Sequence, residues 1–170
     1  KEAYLRALEI AVSTSKNFII TDNEDSAKEA IRYLKNNNLG RATFFPINVI
    51  KRRYIDENTK HILEGLDGYI GVLADLVTTD KEYKNIVYNQ LGLVLVAEDM
   101  DTALRISRKI DRRYKVITLA GDVINVGGSM AGGTNYKGRS AVMINQEITN
   151  YLNIITSLEE SNKKIAIDIN

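Results

Sequence analysis

The 170-residue sequence has no cysteine or tryptophan and contains one histidine and one proline. The absence of cysteine excludes disulfides and thiolate zinc sites. No run of about 18 apolar residues occurs, so no membrane-spanning helix is expected. A content of 44% hydrophobic and 26% charged residues is typical of a globular protein, with a cytoplasmic location as the default expectation. The chain begins inside a helix-like pattern, which suggests a piece of a longer protein.

Residue types that carry catalysis are scarce. His61 lies in a polar stretch with no second metal ligand at helical spacing, and a surface role is expected. Ser129 does not stand in a nucleophile elbow, because Ala131 replaces the second glycine of that motif. Asp99 and Asp122 are single acids for which capping or structural roles are predicted. The sequence therefore predicts no enzyme active site, no cofactor and no metal.

Two stretches of the chain resemble each other. Each is predicted to form a strand, a helix with an acidic or amide cap, and a second strand. The strands are expected at Phe18–Ile20, Ala42–Phe45, Val94–Val96 and Val116–Leu119, with caps at Asp22 or Asn23 and at Asp99 or Asp101. The tripeptides Asp25–Ala27 and Asp101–Ala103 match at an offset of 76. An α+β fold of two similar strand–helix–strand subdomains is the simplest interpretation, with chance similarity of short amphipathic units as the alternative.

Both predicted helix starts argue against dinucleotide binding. A phosphate needs a glycine-rich turn with free backbone N–H groups. The turns here are Thr21–Asp25 and Ala97–Asp101, which carry carboxylates instead. Carboxylates satisfy the helix dipole themselves and repel an anion.

A glycine-rich segment, Gly121–Asn135, holds five of the 11 glycines. It fits the phosphate-loop pattern from Gly127 to Thr134, except that Gly133 stands in place of the lysine. Without that cation, ATP binding is not expected. The paired glycines leave little side-chain bulk, so a strand of another chain has room to approach. A merely flexible loop is the alternative.

Local basic clusters stand out against a net charge of only +1. Four cations follow one predicted helix face at i, i+3, i+4 and i+7: Arg105, Arg108, Lys109 and Arg112. A second cluster is Lys51, Arg52 and Arg53. Such clusters contact phosphates without reading sequence, or they are simply solvated surfaces.

Apolar residues in the tail alternate at spacings of four and three, typical of a coiled-coil seam. The seam positions are Ile144, Ile148, Tyr151, Ile155, Leu158, Asn162 and Ile165. A terminal helix packed on its own domain is the other interpretation.

Three segments together resemble the hinge domain of structural maintenance of chromosomes (SMC) proteins, most closely the bacterial type. They are Gly40–Arg53, Asp67–Ile106 and Val116–Thr134. The resemblance implies a hinge of residues 1–139, with subdomains of about 1–60 and 61–139, and a coiled-coil arm that starts in residues 140–170.

The resemblance also implies a homodimer whose interface includes Gly127, Gly128, Gly132 and Gly133. It implies long arms that run to distant ATPase heads, a role in chromosome condensation and segregation, and a cytoplasmic, nucleoid-associated protein. Weak, sequence-independent DNA contact is expected, and the two basic clusters are its candidate sites. The competing functional class is a small-molecule or nucleotide-binding α/β domain of an enzyme.

Overall fold

The computed structural model describes residues 4–133 and 141–168. Two compact units make up the chain, Lys1–Gly133 and Thr134–Asn170. The first unit is a mixed α+β domain, and the second contains one long helix. The helices and strands in chain order are α1 (Leu5–Ala11), β1 (Ile19–Thr21), α2 (Glu24–Asn36), β2 (Phe44–Pro46), α3 (Glu57–Leu63), β3 (Tyr69–Val72), α4 (Lys84–Leu91), β4 (Val94–Ala97), α5 (Met100–Lys109), β5 (Lys115–Thr118), β6 (Val123–Ile124), β7 (Met130–Ala131) and α6 (Ala141–Asp168).

The predicted pair of strand–helix–strand units is present. Strands β1 and β2 are parallel and joined by α2, while β4 and β5 are parallel and joined by α5. Asn23 caps α2 and Asp99 caps α5, the same 76 residues apart as the matching tripeptides. Each cap accepts a hydrogen bond from a backbone N–H three residues ahead, a contact that stabilises a helix by about 1 kcal/mol.

The two strand–helix–strand units differ in how deeply their strands are buried. Strands β1 and β2 form a sheet of their own, whereas β4 and β5 lie within a five-stranded sheet of order β3-β4-β5-β6-β7. At equivalent positions, Ile19 is 45% exposed and Leu95 is 0% exposed. A two-stranded sheet with one helix cannot bury both faces, so β1 keeps apolar side chains at the surface.

The main core lies on both faces of the larger sheet. Leu95 and Ala97 pack with α5 residues such as Ile106, while Val94 and Val96 point to the opposite face. That opposite face also buries Ala7 of α1. Because successive residues of a strand point to opposite sides, the continuous apolar run of β4 is explained by cover on both faces.

Helices and turns from before residue 61 also belong to this core. Ala7 of α1 and Ile55, just before α3, are both buried within it. The part of residues 1–60 that forms the smaller sheet is therefore limited to β1, α2 and β2.

Helix α6 is 28 residues long and begins at Ala141, close to the predicted start of the arm. The seam residues that can be described are exposed: Ile144, Ile148, Tyr151, Ile155 and Leu158. The side chains of Asn162 and Ile165 lie outside the described residues. None of the described helices combines the length and the apolar character that a membrane span requires.

Candidate functional site

The described part of the glycine-rich segment, residues 121–133, contains the hairpin of β6 and β7. Val123 pairs with Ala131 and Ile124 with Met130, and the Asn125 N–H donates to the Ser129 carbonyl at 2.8 Å. Strand β7 ends the sheet order, so its outer edge has no neighbouring strand among the described residues. Val126 is 62% exposed and Met130 is 52% exposed on this hairpin.

The first glycine pair turns the chain between the two strands. Gly127 has φ +83° and Gly128 has φ +100°, values that side-chain-bearing residues rarely adopt. The Gly127 N–H donates to the Arg112 carbonyl at 3.0 Å. A Cβ on Gly128 would lie 2.8 Å from the Arg112 Cδ, so the Arg112 side chain covers this glycine.

The second glycine pair lies against Asp122. A Cβ on Gly132 would overlap the Asp122 Oδ1 atom. The next residue, Gly133, donates its N–H to the same oxygen at 3.3 Å. Gly132 is therefore needed for a close approach within one chain, which sequence reasoning missed because nothing local marks a contact ten residues apart.

This geometry also explains why the phosphate-loop pattern does not make a phosphate site. The loop joins two antiparallel strands, whereas a phosphate loop leads from a strand into a helix. The N–H groups of Gly127, Gly128 and Gly133 donate to acceptors within the protein. Thr134, the last residue of the pattern, lies outside the described residues.

The two helix starts that a nucleotide domain would use are occupied by their own caps. The Ser26 N–H donates to Asn23 Oδ1 at 2.9 Å, and the Thr102 N–H donates to Asp99 Oδ1 at 2.8 Å. The bond from the Thr102 N–H lowers the pKa of Asp99, which keeps this carboxylate charged. A carboxylate at this position competes with any incoming anion.

The predicted basic helix face is wrong in one member. Helix α5 ends at Lys109, and Asp111 and Arg112 have positive φ values of 52° and 54°. The left-handed turn takes Arg112 off the helix and places it beside Gly128. Its assignment to the same face as Arg105, Arg108 and Lys109 assumed that the helix continued for three more residues.

The three cations that remain on α5 differ in their environment. Arg105 donates to the Asp67 carbonyl at 3.0 Å and to Thr102 Oγ1 at 3.1 Å. Arg108 and Lys109 are exposed, and neither forms an ion pair within the described part of the chain. Only Arg108 and Lys109 are thus available to a ligand on this helix without the loss of an internal contact.

The second basic cluster, Lys51–Arg53, runs along α4. Arg52 donates from Nε to Asn85 Oδ1 at 2.8 Å and lies 5.5 Å from the centre of the Tyr88 ring. The rings of Tyr54 and Tyr88 are 5.3 Å apart. Arg52 is therefore held in place between Tyr54, its exposed neighbour in sequence, and Tyr88, an aromatic contact 36 residues away that the sequence did not reveal.

The residues excluded from catalysis on sequence grounds occupy ordinary positions. His61 is at the surface, with its Nδ1 3.3 Å from Glu64 Oε2. Ser129 accepts a hydrogen bond from Asn125 Nδ2 on its hydroxyl oxygen at 3.2 Å. Among residues 4–133 and 141–168, no group of three or more His, Cys, Asp or Glu side chains is placed to hold a metal ion.

Comparison with known proteins links this geometry to one family. Residues 1–107 match the family model described as the SMC proteins flexible hinge domain. The chain is 37% identical to the chromosome partition protein Smc of Bacillus subtilis over 161 residues, which is 94% of this chain and 14% of that protein. It is 40% identical to the protein of the same name from Clostridium kluyveri over 136 residues, which is 80% of this chain and 11% of that protein.

Two solved structures extend the match to three dimensions. A crystal structure of an asymmetric dimer of the Geobacillus stearothermophilus SMC hinge domain superposes with a TM-score of 0.82 at 32% identity, covering 95% of this chain and 64% of that one. The Pyrococcus furiosus SMC hinge domain superposes with a TM-score of 0.63 at 26% identity, covering 83% and 71%. This chain spans about a seventh or less of the length of the chromosome partition proteins cited. The chain belongs to the family of SMC protein hinge domains.

Proposed function

We propose that this chain is the dimerisation hinge of a chromosome partition protein, with two copies joined through the glycine-rich segment. The interface of each copy includes Gly127, Gly128, Gly132 and Gly133, and α6 begins a coiled-coil arm. The likeness to a hinge domain crystallised as a dimer supports this role. The proposal includes a role in chromosome condensation and segregation and a cytoplasmic, nucleoid-associated location.

The observation that carries the proposal is the outer edge of β7, which has no neighbouring strand among residues 4–133 and 141–168. An outermost strand with exposed apolar side chains pairs readily with a strand of another chain. Val126 and Met130 are both more than half exposed on this hairpin. A partner strand at this edge covers them, and room remains beside Gly127 and Gly133, where a Cβ would meet no atom of the described residues within 4 Å.

The test uses a charged variant of this edge, Val126→Lys combined with Met130→Lys. Both side chains are exposed, so the substitutions leave the monomer folded. Tyr33→Lys on α2 is a matched control, because Tyr33 is 62% exposed, the same fraction as Val126. Replacing the four glycines with alanine is a poorer test, since a Cβ at Gly132 overlaps Asp122 of the same chain.

Sedimentation velocity should show a dimer for the parent and for Tyr33→Lys, and a folded monomer for the double variant. Circular dichroism checks that the monomer keeps its fold. A double variant that dimerises as tightly as the parent excludes this edge as the interface.

DNA contact is the second part of the proposed function, and the exposure of Arg108 and Lys109 favours it. Neither cation has an ion-pair partner in the described residues, so both are free to neutralise phosphates. Lys51 and Arg53 are exposed in the same way at the second cluster, Lys51–Arg53. Binding of this kind is weak and independent of sequence, and it falls steeply with salt.

Fluorescence anisotropy with a short labelled DNA at two salt concentrations tests this part. Arg108→Glu with Lys109→Glu should abolish binding and leave dimerisation intact. Arg112 is left unchanged because it covers Gly128, so its substitution would disturb the interface. If this variant binds like the parent, Lys51→Glu with Arg53→Glu tests the other cluster. Binding that survives both changes removes DNA contact by these clusters.

A further inference from the structure

We propose that Asp122 is the positioning residue of the dimer interface, because its carboxylate holds the Gly132–Gly133 end of the glycine-rich segment in place. The inference rests on the proposed function. It assigns to Asp122 a role in assembly that is separate from its contribution to the stability of the monomer.

The two glycine pairs of the segment are held differently. At the first pair, the Gly127 N–H donates to the Arg112 carbonyl, a bond between main-chain atoms. At the second pair, which follows the last β6–β7 ladder position at Ala131, the acceptor of the bond is a side chain. That bond runs from the Gly133 N–H to Asp122 Oδ1 at 3.3 Å.

Asp122 is itself held by hydrogen bonds to Thr118 of β5. Its N–H donates to Thr118 Oγ1 at 3.0 Å, and its carbonyl accepts from the Thr118 N–H at 2.9 Å. Thr118 is fully buried in β5. A rigid strand therefore positions Asp122, and Asp122 positions the glycines.

The absence of a side chain at Gly132 is matched to this contact. Gly132 has an ordinary φ, so its backbone conformation does not demand glycine. What demands glycine is the closeness of Asp122 Oδ1, which a Cβ would overlap. Glycine at position 132 therefore allows the Asp122 carboxylate to lie directly against the backbone.

Loss of the hydrogen bond between Gly133 and Asp122 lowers the fraction of molecules whose glycine-rich segment has the conformation that dimerises. A released segment samples other conformations, and the apparent dissociation constant rises by the inverse of the competent fraction. If that fraction falls to about one tenth, dimerisation weakens about tenfold for each copy of the segment.

The test compares Asp122→Ala with Asp122→Asn in the full chain. Asparagine keeps an oxygen that accepts from the Gly133 N–H, whereas alanine does not. Sedimentation equilibrium should give a dissociation constant at least about tenfold higher for Asp122→Ala and close to the parent value for Asp122→Asn.

Asp99→Ala is the matched control. Asp99 also accepts a backbone N–H, but that N–H belongs to Thr102, in the first turn of α5. This variant should melt at a lower temperature and dimerise like the parent. A purely structural role for Asp122 predicts the same behaviour for Asp122→Ala, and that result would overturn the inference.

A second readout covers the case in which Asp122→Ala folds poorly. Amide hydrogen exchange is measured on Gly132 and Gly133 in the Val126→Lys, Met130→Lys background, with and without Asp122→Asn or Asp122→Ala. Faster exchange at these amides only with alanine supports the inference, and unchanged exchange overturns it.

Equal losses of dimer for alanine and asparagine would also overturn it, because the charge and not the hydrogen bond would then matter. A parent that is monomeric at every concentration rejects the proposed function as well, whereas a dimeric parent with an unaffected Asp122→Ala variant rejects this inference alone.

Discussion

Gly92 provides a test in which local conformation and tertiary packing predict opposite results. It follows α4 with φ −69° and ψ −12°, a backbone conformation that alanine adopts readily. Intrinsic helix propensity alone predicts that Gly92→Ala stabilises the protein, by up to about 1 kcal/mol.

The structure predicts the reverse. A Cβ on Gly92 would overlap the carbonyl oxygens of Arg53 and Tyr88, which are backbone atoms and cannot rotate away. Overpacking of this kind costs about 1–3 kcal/mol. Displacement of Arg53 also strains the neighbouring bond from Asn89 Nδ2 to the Lys51 carbonyl, 2.8 Å long, which contributes about 1 kcal/mol.

The net effect of these opposing contributions is a loss of about 2 kcal/mol in the free energy of unfolding. For a domain of this size, that loss lowers the melting temperature by roughly 6–8 °C. Gly40→Ala is the comparison, because Gly40 has φ +85° and a Cβ there would meet no atom within 4 Å. Its cost comes from the left-handed conformation alone, about 1 kcal/mol.

Thermal unfolding followed by circular dichroism, with urea unfolding as a second measure, checks this order. Gly92→Ala should lose more stability than Gly40→Ala. A Gly92→Ala protein that melts at or above the parent temperature would show that the Arg53 backbone does not lie against α4 as described. The position of the Lys51–Arg53 cluster would then need revision too.

Three further predictions concern charge and ligands. The pKa of Asp56 is held well below its usual range. The largest cause is the hydrogen bond from the Tyr114 hydroxyl, followed by those from the Thr59 backbone N–H and hydroxyl and by the charge of Arg113. The stability due to Asp56 is therefore complete above the unfolded pKa of about 4 and is lost as pH falls toward the folded value. Asp56→Asn should flatten the acid limb of stability measured by urea unfolding, and an unchanged limb contradicts this assignment. Burial, and then the Asp75 carboxylate, raise the pKa of Tyr69 to about 12, so its share of stability is present below about pH 10 and declines above it. Alkaline unfolding of Tyr69→Phe compared with the parent checks that decline, and identical profiles refute it. Calorimetry with ATP and magnesium should show no saturable heat, because the helix starts are capped and the glycine N–H groups donate within the protein; a micromolar dissociation constant would restore the nucleotide-binding alternative.

Much of the fold could be predicted because its determinants lie close together in the chain. The caps Asn23 and Asp99 bind N–H groups three residues ahead, so the polar residue and its helix appear side by side in the sequence. The apolar run of β4 and the periodicity of α6 are local patterns of the same kind. The family resemblance, which rested on such segments, is confirmed by the match of residues 1–107.

The details of the candidate site depended on contacts that the sequence does not mark. Helical spacing placed Arg112 on α5, but the chain turns left-handed at Asp111 and brings Arg112 to Gly128. The glycines suggested room for a partner strand, whereas Gly132 makes room first for Asp122 of its own chain.

What the sequence by itself determined was the two strand–helix–strand units and the terminal helix, because capping and periodicity act within a turn or two of the chain. Only the tertiary structure decided which glycines lie against side chains of their own chain, and which cations and apolar strand residues are exposed among the described residues. Those outcomes depend on distances between residues such as Gly92 and Arg53, which approach each other because the Lys51–Arg53 backbone lies against α4. Steric overlap and hydrogen bonds between residues distant in sequence leave no local pattern, so only the folded structure shows them.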